Sequence, residues 1–241
     1  MSRPLVIAHR GASGEMPENT LAAFERAVEQ SADMIETDLH LSQDGVVVIH
    51  HDAALERLGE EGEIRDRTSD ELRALNAAPG ADFEAQMPTL LELLDGFGER
   101  MEFNLELKVG SDAPYEGMEE RVLDAVRERG LLPRMLFSSF DDSVLARLRA
   151  LSDEARIAVL VSPRAPLRIL KRAAQVRAEA INPHISMVTS RLVRSAHAAS
   201  LRVFPYTANE EAEMTRLLDA GVDGVITNYP SQLRELLASR V

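Results

Sequence analysis

Two hydrophobic patterns alternate along this chain. Short apolar runs, such as Leu5–His9 and Met34–Leu41, are typical of buried β-strands. Between such runs, apolar residues recur every three or four positions, as at Leu21, Phe24 and Val28, which indicates amphipathic helices that bury one face. A repeated strand–helix unit favours parallel strands joined by right-handed crossovers. The pattern therefore predicts an α/β protein built on a parallel sheet.

The strand–helix unit recurs at a nearly constant spacing in the second half of the chain. After a strand at Met101–Lys108, further strands are predicted around Leu136, Ala158, Ile181, Phe204 and Val225. Helices are predicted at Thr89–Phe97, Met118–Arg129, Asp141–Ser152, Pro166–Arg177, Thr189–Ser200 and Asn209–Ala220. Together with the two strands in the N-terminal part, this makes eight strands. Eight parallel strands alternating with helices close into a TIM (β/α)8 barrel, which is the fold that we predict.

One interval in this repeat is too long. The distance from Glu36 to Asn104 is about three times that between the other strands, and the excess follows the second strand. In TIM barrels this is the face that carries the catalytic loops. We therefore predict a single domain over residues 1–241, with an inserted cap at about residues 40–88. An open doubly wound sheet is the alternative, but the loop after the first strand, His9–Gly14, lacks the glycine pattern of a dinucleotide site.

A pair of acids lies in the second predicted strand. Glu36 and Asp38 are two residues apart, so that their side chains leave the same face of the strand. Asp44-Gly45 is a strong signal for a hairpin with a two-residue loop. Such a loop would place His51 directly opposite Asp38, whereas a longer loop would shift the register by about one residue. The sequence therefore predicts an imidazole beside two carboxylates.

Charged residues also end the neighbouring strands. The predicted rim consists of His9 and Arg10 after the first strand, Glu36 and Asp38 in the second, Glu106 and Lys108 in the third, and His51 from the hairpin. Each residue alone has an ordinary structural explanation, such as a satisfied hydrogen bond or a surface salt bridge. Together, at the ends of otherwise apolar strands, they would be costly for stability. The combination therefore predicts a functional site.

The remaining histidines are given no role at this rim. His50 is expected to face away from His51, and we place His40 off the face that carries the acid pair. His184 ends the sixth strand, where a structural role is favoured. Asp52 is expected to orient a neighbouring side chain through a hydrogen bond, as a hypothesis. These assignments leave His9 and His51 as the candidate catalytic histidines.

The predicted rim has the chemistry of a metal-dependent phosphodiesterase. Three carboxylates, Glu36, Asp38 and Glu106, favour one hard divalent cation, Mg²⁺ or Ca²⁺, with Mn²⁺ also possible, whereas zinc prefers histidine ligands. Two histidines then remain free to transfer protons. Arg10 and Lys108 suit an anionic group such as phosphate. Spacing alone assigns neither which histidine is the base nor whether water or a substrate hydroxyl attacks.

Composition excludes several other classes of protein. The formal net charge is −13, and seven Phe and three Tyr are the only aromatic side chains, so that no basic, aromatic-rich surface for nucleic acid is expected. The absence of cysteine excludes disulfides and thiolate sites. The apolar run near the N-terminus is too short for a signal peptide or a membrane span. We expect a cytoplasmic protein that acts on a small molecule without stable membrane insertion; its oligomeric state cannot be read from the sequence.

Several motifs, in order, resemble the glycerophosphodiester phosphodiesterase family over the whole chain. They are HRG at 9–11, PENT at 17–20, Glu36-x-Asp38, DG at 44–45, HD at 51–52, ELK at 106–108, Ser139-Phe140 and GVDGVITNYP at 221–230. The resemblance implies a TIM barrel with an inserted cap that hydrolyses glycerophosphodiesters to sn-glycerol 3-phosphate and an alcohol. It also implies the roles given above for the three carboxylates, the two histidines and the two cations.

The chain departs from the family pattern at the end of the seventh strand. Family members commonly have Trp-Thr-x-Asn there, whereas this chain has Tyr206-Thr207-Ala208-Asn209. The resemblance implies that Tyr206 lines the glycerol or leaving-group pocket, although packing at the top of the barrel is an equal alternative. Two other functions are weighed against the diesterase. One is a lysophospholipase D, for which the predicted cap is too polar, and the other is a catalytically silent, metal-binding relative.

Overall fold

The computed structural model describes residues 3–240. Within that range the strands are β1 (Leu5–His9), β2 (Met34–Leu41), β3 (Val47–Ile49), β4 (Glu102–Leu107), β5 (Met135–Ser139), β6 (Arg156–Val161), β7 (Ala180–Pro183), β8 (Arg202–Val203) and β9 (Gly224–Thr227). The α-helices are α1 (Leu21–Glu29), α2 (Ser69–Arg73), α3 (Leu90–Phe97), α4 (Met118–Glu128), α5 (Asp142–Leu151), α6 (Ile169–Gln175), α7 (Ser190–Ala198), α8 (Glu211–Asp219) and α9 (Pro230–Ser239). Within residues 3–240, no helix is long and apolar enough to cross a membrane.

Eight of the strands form a parallel barrel. Their order in the sheet is β8-β7-β6-β5-β4-β2-β1-β9. The two ends of this order meet because the Ile226 amide donates to the Pro205 carbonyl at 2.9 Å and the Asp223 amide donates to the Val203 carbonyl at 3.1 Å. A helix follows each of these strands before the next one begins. The predicted TIM barrel is therefore confirmed, and the open sheet is excluded because it would leave two unpaired edges.

Alternation along each strand separates two apolar layers. In β1, Ile7 points into the barrel, whereas Val6 and Ala8 belong to the larger core between the strands and the helices. In β2, Met34 likewise points inward and Ile35 outward. Because side chains alternate, Glu36 and Asp38 continue the inward face that begins at Met34. The alternation thus directs these acids into the mouth of the barrel.

The hairpin after β2 differs from the prediction. The Ser42 amide donates to the Val46 carbonyl at 3.0 Å, and the Gly45 amide donates to the Ser42 carbonyl at 3.1 Å. The loop is therefore Gln43–Gly45, three residues long, with Gly45 at a φ of 80°. A three-residue hairpin loop commonly ends in a left-handed glycine, because a side chain would strain that conformation.

The longer loop shifts the register by one residue. The residue opposite Asp38 is His50, whose amide donates to the Asp38 carbonyl at 3.2 Å, so that the predicted pairing of Asp38 with His51 is wrong. His51 still reaches the mouth of the barrel because β3 ends at Ile49. Beyond that residue the chain is free of the strand alternation.

The segment between β3 and α3 builds a small core of its own. It contains two 3₁₀ turns, at Glu56–Leu58 and Ile64–Asp66, and the short helix α2. In this core, Leu55, Ile64, Leu72 and Met87 of the segment pack with Val48 of β3. The segment rejoins the barrel where the Ile49 amide donates to the Pro88 carbonyl at 2.8 Å. This segment brings His51 and Asp52 to the mouth.

Most predicted helices occur within one or two residues of their expected bounds. Helix α5 shows why, since the Asp141 carboxylate accepts hydrogen bonds from the amides of Ser143 and Val144 and so caps its start. Helix α6 is shorter than the predicted Pro166–Arg177. Pro166 disfavours helical geometry at the preceding residue, and Arg168 has a φ of 58°, so that the helix begins only at Ile169.

Candidate active site

The ends of β1, β2 and β4 bring the predicted rim residues together. In the sheet register His9 pairs with Glu36, and Asp38 pairs with Glu106. Six of the seven predicted residues line one cavity of about 110 Å³, and Asp38 is buried next to it. The residues that line this cavity are His9, Arg10, Glu36, His51, Glu106, Lys108, Phe140, Leu160, Tyr206 and Ile226.

Three carboxylates cluster at the base of the cavity. One oxygen each of Glu36, Asp38 and Glu106 lies within 4.8 Å of the others, and all three residues are buried. Asp38 is oriented by Asn19, whose Nδ2 donates to Asp38 Oδ2 at 2.8 Å. The Thr37 hydroxyl in turn donates to Asn19 Oδ1 at 2.8 Å. The trio is therefore a preformed set of oxygen atoms that a divalent cation could bind.

Two cations touch the trio from different sides. Arg10 Nε lies 3.2 Å from Asp38 Oδ2, and Arg10 Nη1 donates to Glu18 at 3.0 Å. Lys108 Nζ lies 3.0 Å from Glu106 Oε1 and 3.4 Å from Asp38 Oδ1. Asp38 is thus paired with both cations, whereas Glu36 forms no ion pair with lysine or arginine among residues 3–240.

This unequal pairing separates the pKa values of the carboxyls. Burial alone would raise the pKa of Asp38, but Lys108 and Arg10 together hold it well below its usual range. For Glu36, burial and the nearby charges of Asp38 and Glu106 raise the pKa well above its usual value. Glu36 is therefore the member of the trio that most lacks a compensating positive charge.

The two candidate histidines are both anchored through Nδ1. His9 Nδ1 lies 2.7 Å from Asn228 Oδ1, and His51 Nδ1 lies 2.7 Å from Asp52 Oδ1. Amide and carboxylate oxygens only accept hydrogen bonds, so that Nδ1 donates in each pair and Nε2 remains for the cavity. Burial, followed by the charge of Arg10, lowers the pKa of His9 to about 4. The hydrogen bond expected of Asp52 is present.

The opposite wall of the cavity is apolar. It consists of Phe140, Leu160, Tyr206 and Ile226. Tyr206 makes an edge-to-face contact with Phe140, with ring centroids 5.9 Å apart, and its hydroxyl donates to the Val161 carbonyl at 3.2 Å. Tyr206 therefore both lines the cavity and packs at the top of the barrel. His184 packs on Tyr206 but does not line the cavity, as expected for a structural role.

Two asparagines that support the site were missed by sequence reasoning. Asn19 and Asn228 lie in motifs noted in the sequence, but no role at the site was inferred for them. Asn228 directly follows β9, so that the rule used for the other strand ends could have found it. The placement of His40 was wrong. It lies two residues after Asp38 and shares its face, with its Nδ1 2.7 Å from the hydroxyl of Tyr115.

Comparison with known proteins identifies the family to which the chain belongs. The model of the glycerophosphoryl diester phosphodiesterase family matches residues 9–232. A glycerophosphodiester phosphodiesterase of Caldanaerobacter subterraneus is 34% identical, with 98% of each chain covered. A Silicibacter pomeroyi protein, provisionally named a glycerophosphoryl diester phosphodiesterase, has a crystal structure that matches with a TM-score of 0.91 and 30% identity, over 99% of this chain and 94% of that one.

A further similar structure holds a ligand. It is an Oleispira antarctica phosphodiesterase in complex with the product sn-glycerol-3-phosphate, with a TM-score of 0.84 and 34% identity, over 98% of this chain and 97% of that one. The family match spans nearly the whole chain and includes every residue of the rim. The chain therefore belongs to the glycerophosphoryl diester phosphodiesterase family.

Proposed function

We propose that this protein hydrolyses glycerophosphodiesters to sn-glycerol 3-phosphate and an alcohol, with the help of one divalent cation. The observation that carries the proposal is the trio of buried carboxylates, whose oxygens lie within 4.8 Å of one another beside a cavity lined by two cations and two histidines. The family, and the product bound by the Oleispira antarctica relative, support the choice of substrate.

The charges of the cavity fit a dication. With all three carboxylates ionised, they and the two cations that touch them carry one net negative charge, which is unsuited to an anionic phosphodiester. A dication held by Glu36, Asp38 and Glu106 would reverse that sign and supply the positive charge that Glu36 lacks. The donors are all oxygen atoms, which favours Mg²⁺ or Ca²⁺, with Mn²⁺ as a substitute. When bound, the ion would act as a Lewis acid that stabilises charge on the phosphoryl oxygens.

Arg10 and Lys108 are proposed to bind the phosphate. Both side chains line the cavity and are mostly buried, so that a phosphate there would contact them with little intervening water. Their present partners, Asp38 and Glu106, are the proposed ligands of the dication. Positive charge at the trio would therefore weaken the hold of these acids on the two cations and leave the cations available to substrate oxygens.

The two histidines are proposed to transfer protons through Nε2. Burial lowers the pKa of both rings, but the Nδ1 of His51 donates to the carboxylate of Asp52, whose negative charge opposes that shift and suits the general acid that protonates the leaving alcohol. His9 instead donates to the neutral amide of Asn228, and its lowered pKa keeps the ring neutral. His9 therefore suits the base that takes a proton from the attacking oxygen, as the bond from phosphorus to the leaving oxygen breaks.

Residues 40–88 are proposed to act as a cap on a single barrel domain. The segment supplies His51 and Asp52, and Arg57 ties it to the barrel side of the mouth, with Nη1 3.0 Å from Glu18 and 3.3 Å from Asp52. Because Glu18 also contacts Arg10, the cap and the proposed phosphate site share one chain of ion pairs. This arrangement supports a cap that helps to form the site.

The proposal is tested by product analysis. Purified protein is incubated with glycerophosphocholine or glycerophosphoethanolamine and Mg²⁺, Ca²⁺ or Mn²⁺, and sn-glycerol 3-phosphate is measured by ³¹P NMR and by a coupled assay. We expect release of this product and its loss with EDTA. A folded protein that binds Mn²⁺ but turns over no glycerophosphodiester would contradict the proposal and indicate a silent relative. Preferential release of choline from lysophosphatidylcholine would indicate a lysophospholipase D instead.

A further inference from the structure

A second histidine on β2 lies directly behind the proposed general acid. His40 is fully buried on the same strand face as Asp38, beyond the carboxylate trio. Its Nε2 lies 3.2 Å from the main-chain carbonyl oxygen of His51, and its Nδ1 lies 2.7 Å from the Tyr115 hydroxyl. His40 does not line the cavity, so that it cannot act on substrate directly.

The partners of His40 determine its tautomer. The carbonyl of His51 can only accept a hydrogen bond, so that Nε2 of His40 must carry the proton. In the neutral ring Nδ1 then has a free lone pair, and the Tyr115 hydroxyl donates to it. Both ring nitrogens of His40 then have a hydrogen-bond partner. The hydrogen bond from Tyr115 to Nδ1 orients the ring so that Nε2 faces the His51 carbonyl.

Tyr115 is itself held in place by the segment that carries His51. The Arg65 guanidinium lies 5.2 Å from the centroid of the Tyr115 ring and donates to the Ala113 carbonyl at 3.0 Å. Gly110 makes room for this contact, since a Cβ at that position would lie 1.1 Å from an Arg65 nitrogen. The edge-to-face packing of Tyr115 on His40, with centroids 5.6 Å apart, completes the assembly.

We propose that His40, with its tautomer set by the His51 carbonyl and its ring held by Tyr115, is a positioning residue that holds the main chain of His51 at the cavity. The inference rests on the role proposed for His51 as general acid. His51 follows the end of β3 and is therefore no longer fixed by the β-sheet ladder. The bond from His40 Nε2 ties this part of the chain back to β2, the strand that carries Glu36 and Asp38, and so keeps acid and carboxylates in register.

Matched variants separate this bond from general packing. H40L replaces the donor with an apolar side chain that still fills the space, whereas H40Q supplies an amide N–H that can reach the His51 carbonyl. H50L is the control, because His50 is a buried histidine next to His51 that does not line the cavity. Misplacement of a catalytic group by about 1 Å can cost about 100-fold, so we expect H40L to lower kcat on glycerophosphocholine by roughly 10–100-fold. H40Q should recover to within about fivefold of the native rate, and H50L should be close to it.

Substrates with different leaving groups test whether H40L loses activity because the general acid His51 is misplaced. A glycerophosphodiester of p-nitrophenol needs little protonation of its leaving oxygen, so that H40L should lose much less activity on it than on glycerophosphocholine. Equal losses on both substrates, or no recovery in H40Q, would overturn the inference. Mn²⁺ binding followed by EPR should be the same in H40L and the native protein, because the trio is untouched.

A measurement without turnover keeps this inference separate from the proposed function. In ¹⁵N-histidine NMR spectra, the signals of His40 are identified by their loss in H40Q, and we expect the Nε2–H tautomer. The Nδ1–H tautomer would overturn the inference even in an active enzyme, whereas an inactive native protein with the Nε2–H tautomer would contradict only the proposed function. If H40L fails to fold, Y115F serves instead. It should lower kcat on glycerophosphocholine by roughly 3–10-fold, because Nδ1 of His40 loses its hydrogen-bond donor, and it should keep the Nε2–H tautomer that the His51 carbonyl requires. An unchanged rate would count against the inference.

Discussion

The two halves of the barrel mouth differ in charge and polarity. The charged half comes from the adjacent strands β1, β2 and β4 and from the loop that carries His51. The apolar half consists of Phe140, Leu160, Tyr206 and Ile226, which lie in or shortly after β5, β6, β8 and β9. Both halves follow the same alternation of inward and outward residues. The difference therefore lies in the side chains and not in the backbone.

The two halves also differ in what they cost the fold. The apolar half buries side chains that fold stability favours. In the charged half, burial and neighbouring acids raise the pKa of Glu36, and burial raises that of Glu106, which shows that neither carboxylate is stabilised in its charged form. A barrel maintained for stability alone would not place three acids there. We therefore expect the charged half to bind the metal and the phosphate, and the apolar half to contact the organic part of the substrate.

The largest effect is expected from a neutral substitution in the charged half. E36Q removes a proposed metal ligand while it preserves size, and we expect activity to fall by at least about 10³-fold, since Lewis acid assistance contributes several kcal/mol. In EDTA the variant should be at least as stable as the native protein in thermal denaturation, because a buried and uncompensated charge is lost.

The control for this variant is E102Q, at the opposite end of β4 from Glu106. Glu102 is partly exposed and pairs with Arg156 away from the mouth, so that activity should be nearly unchanged. Native activity in E36Q, or an equal loss of activity in E102Q, would contradict the claim that the charged half carries the metal-dependent chemistry.

A smaller effect is expected from the histidines, with a different dependence on the leaving group for each. H51A should slow hydrolysis of glycerophosphocholine by about 10²–10³-fold, and much less for a p-nitrophenyl ester, because the better leaving group needs no acid. H9A should slow both substrates by similar factors, since the attacking oxygen must be deprotonated in either reaction. Steady-state kinetics with the two esters measures this. The opposite pattern would exchange the roles of His9 and His51.

The raised pKa of Glu36 predicts how metal binding depends on pH. A raised pKa means that the carboxyl keeps its proton to a higher pH than an ordinary glutamate, and a metal must displace that proton. Apparent Mn²⁺ affinity should therefore increase with pH, by about tenfold per pH unit below the pKa of Glu36 and less above it. Calorimetric titration over a series of pH values tests this. In E36Q the dependence should weaken, and an unchanged slope would assign the proton to another group.

Strand alternation explains how much of the fold and site could be predicted from sequence. The bounds of β1 and β2 follow from apolar runs that end in polar residues, and the same parity rule places Glu36, Asp38 and Glu106 at one mouth. The TIM barrel follows from the spacing of the strands and is confirmed. The wrong placement of His40 came from misapplying that parity rule, and not from a missing signal.

The features that could not be predicted from sequence depend on loop conformation and on contacts between residues distant in the chain. The loop at Gln43–Gly45 has three residues because Gly45 takes a left-handed conformation, which Asp44-Gly45 permits in more than one type of turn. The contact of Asn228 with His9 joins the two ends of the chain, which become neighbours only when the barrel closes. No local pattern reports such a contact, and the same holds for Tyr115 and His40.

The smallest effect is expected in the apolar half, at Tyr206. Y206F removes only the hydroxyl that donates to the Val161 carbonyl and keeps the ring against Phe140, so that activity should change by no more than about threefold. Y206A opens the wall and should raise KM by up to about tenfold while kcat stays near native, because a wall that holds ground state and transition state alike contributes uniform binding. Kinetics on two glycerophosphodiesters with different alcohols shows which part of the substrate the ring contacts. A KM effect of the same size for both alcohols places the glycerol moiety there, whereas unequal effects place the leaving group there. A loss confined to kcat would instead mean that Tyr206 belongs with the charged half, and that the two halves of the mouth are not independent.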